Sequence, residues 1–173
     1  MTSSSHRSAL ALAGSGALFL GLFFLLQWSY QGSRGTRVET LLIDHLTVAP
    51  SAAVVGWLTP GEGVVARGHQ LVSPYVKLSV LNGCEGTEVV LLLAAAMLAF
   101  GTGWRHRLIG IVMGSAFVYL LNQGRVVGLF YCLRYRPSLF ESLHGYVAPT
   151  LVVALAAVFF MMWISHDEPR AAH

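Results

Sequence analysis

Four side chains in this sequence have the chemistry to act together: the thiol of Cys84, the amide of Asn122, the guanidinium of Arg125 and the imidazole of His144. A nucleophilic sulfur, an acid–base imidazole and a fixed cation are the parts of a cysteine acyl-transfer site, where the sulfur attacks a carbonyl and the imidazole moves the proton. They come from three stretches far apart along the chain. Whether they meet depends on the elements that carry them, and those elements are membrane spans.

Apolar residues make up 55% of the 173-residue chain and charged residues 11%, with a mean hydropathy of +0.63, whereas soluble domains are roughly a quarter charged. This is the composition of an integral membrane protein. The expected fold is an all-α membrane bundle of about four transmembrane helices, a single domain over 1–173. Residues 9–30 carry no charge and, at about 1.5 Å per residue, reach across a hydrocarbon core of roughly 30 Å. No small-x-small cleavage site closes this run at Gln27-Trp28-Ser29-Tyr30, so it reads as an uncleaved anchor. The second span is expected over 87–104, with Glu88 at the head groups. The third follows Arg105-His106-Arg107 over 108–133, and the fourth covers 145–165 before the polar tail His166-Asp167-Glu168-Pro169-Arg170. Four crossings put both termini on one side.

The insert 31–86 differs in kind, carrying Arg34, Arg37, Glu39, Asp44, Glu62, Arg67 and Lys77 among glycines and prolines. Val38, Leu41, Leu42, His45 and Leu46 recur at helical spacing opposite Glu39 and Asp44, which suits a helix lying in the membrane interface. A fifth span here would sink both carboxylates into hydrocarbon at a cost of several kcal/mol. Val64–Val72 and Val76–Val80 alternate as short strands do, so a β-hairpin is expected to lead into the cysteine.

The spans bring the reactive residues to one face. Cys84 precedes the second span, His144 precedes the fourth, and Arg125 lies about 17 residues into the third, roughly 26 Å along it. Asn122 and Arg125 are three apart and share a helical face. An arginine within a span is costly and reads as functional, its plain alternative being a side chain that snorkels to the head groups. Thr87 is a fitting N-cap for the second span. A thiol just before it meets the positive end of a helix, and a nearby cation favours thiolate, while Glu85 and Glu88 work against this. The plain alternatives for Cys84 are packing or a disulfide to Cys132, which is expected near the same face. An interfacial histidine taken alone says little, so the weight rests on the set.

The N-terminus is expected inside, because Arg7 adjoins the first span and the tight 104–107 turn is basic, although Arg134 and Arg136 pull the other way. That orientation puts the site on the extracytoplasmic face of the cytoplasmic (inner) membrane. Gly110 with Gly114, Gly124 with Gly128, and Ala95 with Ala99 are each four apart and would let helices approach closely. Pro149 is expected to kink the fourth span and set how His144 is presented. Seven scattered histidines and two cysteines offer no ligand pairs for a metal. No phosphate-binding glycine loop or nucleic-acid stripe is present, and no cofactor is expected.

Cys84-Glu85-Gly86, Asn122-Gln123-Gly124-Arg125 and the lone His144, each at the outer edge of a successive helix, resemble the signature of the exosortase/archaeosortase family. The resemblance covers about 64–165 and is closest to compact, single-unit members. It implies a multi-spanning cysteine protease and transpeptidase whose substrates are exported proteins with a C-terminal sorting signal: a short motif, a hydrophobic helix and a basic tail. Cys84 would be the nucleophile, His144 the acid–base, Arg125 the electrostatic stabiliser and Asn122 an orienting group. The acidic residue after the cysteine departs from the family pattern. Two readings from other classes stand beside it: a non-catalytic assembly or export subunit with a Cys84–Cys132 disulfide, and a small anion transporter using Arg125.

Overall fold

The computed structural model describes residues 2–100 and 103–166. Five helices and one small sheet follow in order: α1 (Thr2–Gln31), α2 (Arg37–Leu58), β1 (Val65–Arg67), β2 (Gln70–Val72), β3 (Lys77–Ser79), α3 (Thr87–Phe100), α4 (Trp104–Tyr135) and α5 (Pro137–Ser165). The chain is mostly helical, and four stretches, Leu12–Gln31, Arg37–Leu58, Trp104–Tyr135 and Pro137–Ser165, are long and apolar enough to cross a membrane. The length and number of these helices make it a multi-pass membrane protein. Helix α3 is shorter and equally apolar; the expected second span also takes in 101–102, which lie outside the described residues, as does the tail beyond His166.

Helix α2 is the main departure from expectation. A short interfacial helix was anticipated around 38–46, yet the helix continues to Leu58 past Pro50. Proline lacks the N–H that would bond to the carbonyl four residues back, and its ring crowds that carbonyl. The chain absorbs this by widening: Leu41–Val48 forms a π-helical segment in which the Ala49 amide donates to the Asp44 carbonyl, five residues back. The same device recurs in α5. There the π-segment Leu143–Val147 precedes Pro149, with the Ala148 amide donating to Leu143. A kink expected from Pro149 is thus accommodated as a wide turn, and His144 rides on it.

The anticipated hairpin is a three-stranded antiparallel sheet in the order β1-β2-β3, with Leu71 opposite both Ala66 and Leu78. The first alternating run folds back on itself at Gly68, whose φ of +54 is one that L side chains rarely adopt. Leu71, Leu78 and Val80 bury one side of the sheet against Ile43, Val48, Ala52 and Val55 of α2 and Val126, Leu129 and Phe130 of α4. Helix α2 is further tied to α4 by Ser51 donating to Gln123 at 2.6 Å, Gln123 donating to the Leu46 carbonyl at 2.9 Å, and Thr59 paired with Tyr131 at 2.7 Å. Buried Glu62 anchors the loop beyond it, accepting from Arg134 Nε at 3.1 Å and from the Tyr135 hydroxyl at 2.7 Å.

A second core lies between α3, α4 and α5, built from Leu93, Met97, Val118, Val152 and Ala156. Two of the four glycines expected to allow close approach do so. A Cβ on Gly110 would lie 2.5 Å from Trp163 Nε1, and one on Gly114 would lie 2.5 Å from Leu93 Cδ2. Gly124 and Gly128 have open space instead. Helix α1 runs antiparallel to α3: Phe19 meets Phe100 at a centroid distance of 6.3 Å, Gln27 donates to Glu88 at 3.1 Å, and the Tyr30 hydroxyl donates to Glu85.

Candidate active site

Cys84 stands on a short arch between the sheet and α3. Gly83 and Gly86 flank the Cys84-Glu85 pair with φ of +89 and +81, so both corners of the arch use backbone conformations that suit glycine. The Cys84 amide donates to the Leu81 carbonyl at 2.9 Å, closing a turn. Gly86 then caps α3, its carbonyl accepting from Val89 and Val90 at 3.2 Å. The capping position therefore falls one residue before Thr87, which is the first residue of the helix.

Asn122 locks the arch to α4. It is 1% exposed, and its Nδ2 donates to the Cys84 carbonyl at 3.1 Å. One turn along, Arg125 extends Nη1 to Asn122 Oδ1 at 3.5 Å and Nη2 to the Cys84 sulfur at 3.9 Å. The spacing of three residues puts both side chains on the same face, as the sequence suggested. Helix α5 supplies the third wall. His144 Nε2 lies 4.0 Å from Cys84 Sγ, and its ring stacks on Phe140 one turn earlier, with centroids 5.4 Å apart and planes 3° from parallel.

All four residues singled out in the sequence thus meet at one point, contributed by the arch and by helices α4 and α5. The sulfur sits between a fixed cation and an imidazole. Arg125 Nε and His144 Nδ1 are buried without a hydrogen-bond partner among the described residues, which leaves donor or acceptor capacity beside the sulfur. Beside Arg125 opens an apolar groove of about 280 Å³ between α4 and α5, lined by Leu121, Gly124, Gly128, Val147, Leu151 and Leu155. The two open glycines form part of its wall. Cys132 is elsewhere engaged: its sulfur lies 3.5 Å from the Arg136 carbonyl, and both cysteines are free thiols.

Sequence reasoning missed the polar layer on the other side of the arch. Glu85 points away from the sulfur to Tyr30, and Glu88 to Gln27, so α1 is bound to the arch and to the first turn of α3 by two carboxyl contacts. The signal was present as Gln27 and Tyr30, three apart near the end of an otherwise apolar run. Among the described residues no group of three or more His, Cys, Asp or Glu side chains could hold a metal. No protein-family model, curated protein or solved structure matches this chain.

Proposed function

We propose that this protein is a membrane cysteine peptidase or transpeptidase of the exosortase-like kind, cleaving the C-terminal sorting signal of exported proteins through a Cys84 thioester. The observation that carries the reading is the placement of Cys84 Sγ 3.9 Å from Arg125 and 4.0 Å from His144. A guanidinium beside a thiol stabilises its anion. The Cys84 thiolate would attack the scissile carbonyl, forming a C–S bond and pushing negative charge onto the carbonyl oxygen, where the Arg125 cation offsets it. His144 would donate a proton to the departing amine as the C–N bond breaks, leaving an acyl-thioester. Water, or an amine on another molecule, would then attack the thioester while His144 takes its proton, breaking the C–S bond, releasing the acid or the transferred product and restoring the thiolate beside a protonated His144. Asn122 is spent on the Cys84 carbonyl, so its role is to hold the nucleophile's backbone.

The same reading sets the topology. The end of α1 and the start of α3 touch through Tyr30 and Glu85, so whatever joins them must return to the level it left. In this reading helix α2 does not cross, and the crossings are α1, α3, α4 and α5, with both termini on the cytoplasmic side. Exposed Val38, Leu41, Val54, Trp57 and Leu58 on α2 fit a helix resting in the outer leaflet beside the site. A substrate whose own hydrophobic helix lies in the bilayer would present its adjoining peptide at this depth.

The test is co-expression with an exported protein bearing a C-terminal sorting helix, comparing its processing by the parent and by Cys84→Ala. Loss of processing with Cys84→Ala is expected; processing that continues unchanged would remove the catalytic role. An anion transporter would show the reverse, with flux abolished by Arg125→Ala and untouched by Cys84→Ala.

A further inference from the structure

We infer that Tyr30 and Glu85 are positioning residues for the Cys84 sulfur, and that α1 takes part in the site through them. The inference rests on Cys84 being the nucleophile. Glu85 is bonded directly to Cys84, yet its side chain runs the opposite way into the contact with α1, where it is 7% exposed and accepts from the Tyr30 hydroxyl. Its other oxygen, Oε2, is buried with no partner among the described residues. Tyr30 is thus the one donor this carboxyl has among them.

The arch that carries the sulfur turns at two glycines, Gly83 and Gly86. Gly83 has open space around it, whereas Gly86 packs against Asn122 and caps α3, and between them the Cys84-Glu85 pair is held by three hydrogen bonds. Its ties are the Leu81 carbonyl, the Asn122 amide and the Tyr30 hydroxyl. The first two act on the backbone of Cys84, and only the third acts on the far side, resisting a roll of the arch toward α4. Such a roll matters because the sulfur's contacts at 3.9 and 4.0 Å lie at the outer reach of sulfur hydrogen bonding. A displacement of about 1 Å would break one or both, and misplacement of that size costs on the order of a hundredfold in rate. The Gln27–Glu88 contact and the Phe19–Phe100 contact hold α1 against α3 independently, so loss of the Tyr30 tie is local.

The experiment uses the full chain with Cys132→Ala, so that Cys84 is the single thiol, and follows both reporter processing and the rate of alkylation of Cys84 by iodoacetamide. Tyr30→Phe removes one oxygen and leaves the carboxyl in place. It is expected to lower kcat by about tenfold to a hundredfold with KM unchanged and to change the rate at which Cys84 is alkylated, because the sulfur leaves its place beside the guanidinium. Arg125 and His144 are the charged or titratable groups in contact with that sulfur among the described residues, and Tyr30→Phe alters neither. Glu85→Ala should match Tyr30→Phe in kcat, the double variant should be no slower than either single one because both remove the same contact, and Glu85→Gln, which keeps an accepting oxygen, should restore most of the rate. Unchanged kinetics and alkylation in Tyr30→Phe would overturn the inference, as would multiplied losses in the double variant or a Glu85→Gln as slow as Glu85→Ala. Should Glu85→Ala fail to fold, Tyr30→Phe and Glu85→Gln decide. Alkylation needs no substrate, so a reporter that is never processed leaves this test intact and counts against the peptidase reading alone.

Discussion

Gly86 and Asn122 are packed so closely that a Cβ on the glycine would lie 2.9 Å from Asn122 Cγ, while the glycine's φ of +81 is one that other residues rarely adopt. The asparagine that holds the Cys84 carbonyl therefore has its place only because residue 86 has no side chain. Gly86→Ala is expected to destabilise the protein by about 1–3 kcal/mol through backbone strain and to displace Asn122 as well. Thermal unfolding in detergent and the rate of Cys84 alkylation would register the two effects separately.

Arg125 and His144 touch the sulfur from different helices and should fail differently. Arg125→Lys keeps a charge but loses the fork that reaches both Asn122 and Cys84, and is expected to cost on the order of a hundredfold to a thousandfold in processing. His144→Ala should cost about a hundredfold to ten-thousandfold while Cys84 remains open to alkylation. Reporter cleavage assayed beside alkylation in each variant checks both, and full processing by His144→Ala would remove the imidazole from the mechanism.

Glu62 supplies a pH signature away from the site. The hydrogen bond from Tyr135, reinforced by Arg134, holds its carboxyl below the usual carboxylate range. A carboxyl depressed by folding adds stability that is fully present above its ordinary value near pH 4 and is lost as pH falls through the lower, folded value. Melting curves of the parent and Glu62→Gln should therefore differ at pH 7 and converge in acid. Equal melting temperatures at both pH values would show the contact to be idle.

The glycines of α4 divide by surroundings. A side chain at Gly114 would collide with Leu93 and Phe159, whereas one at Gly128 would meet nothing within 4 Å. Gly114→Val should lose about 1–3 kcal/mol or more from overpacking, and Gly128→Val should fold as the parent does. Yields of monodisperse protein and unfolding temperatures separate the two, and equal tolerance would mean that the α3–α4–α5 core is looser than the contacts imply.

Much of this was legible in the sequence, for identifiable reasons. Uncharged runs of membrane length fixed α1 and the body of α5, and charge clusters at 105–107 fixed where α4 begins. The order and depth of Cys84, Arg125 and His144 along successive helices were enough to bring them to one face, and the spacing of Asn122 from Arg125 put those two together. Helix α2 was cut short because Glu39 and Asp44 argued against hydrocarbon and the apolar spacing was followed only to Leu46; nothing in residue types announces that a π-turn will carry the helix past Pro50. The hairpin turn at Gly68 was hidden inside a run that alternates like one strand. The Tyr30–Glu85 contact was illegible for another reason: a tyrosine at the end of a span reads equally well as an aromatic at the head groups, and its partner lies 55 residues away.

The wide turn at Leu143–Val147 has one residue more than regular winding requires, and this surplus sets the azimuth of His144. Each residue turns an α-helix by about 100°. Excising Gly145 would let the coil close to its ordinary pitch, rotating Phe140 and His144 about a quarter-circle around the axis while everything from Ala148 onward stays seated. The imidazole would then swing away from the sulfur with every side chain of the trio still present, so the proposed site depends on the phase of a helix as well as on its residues.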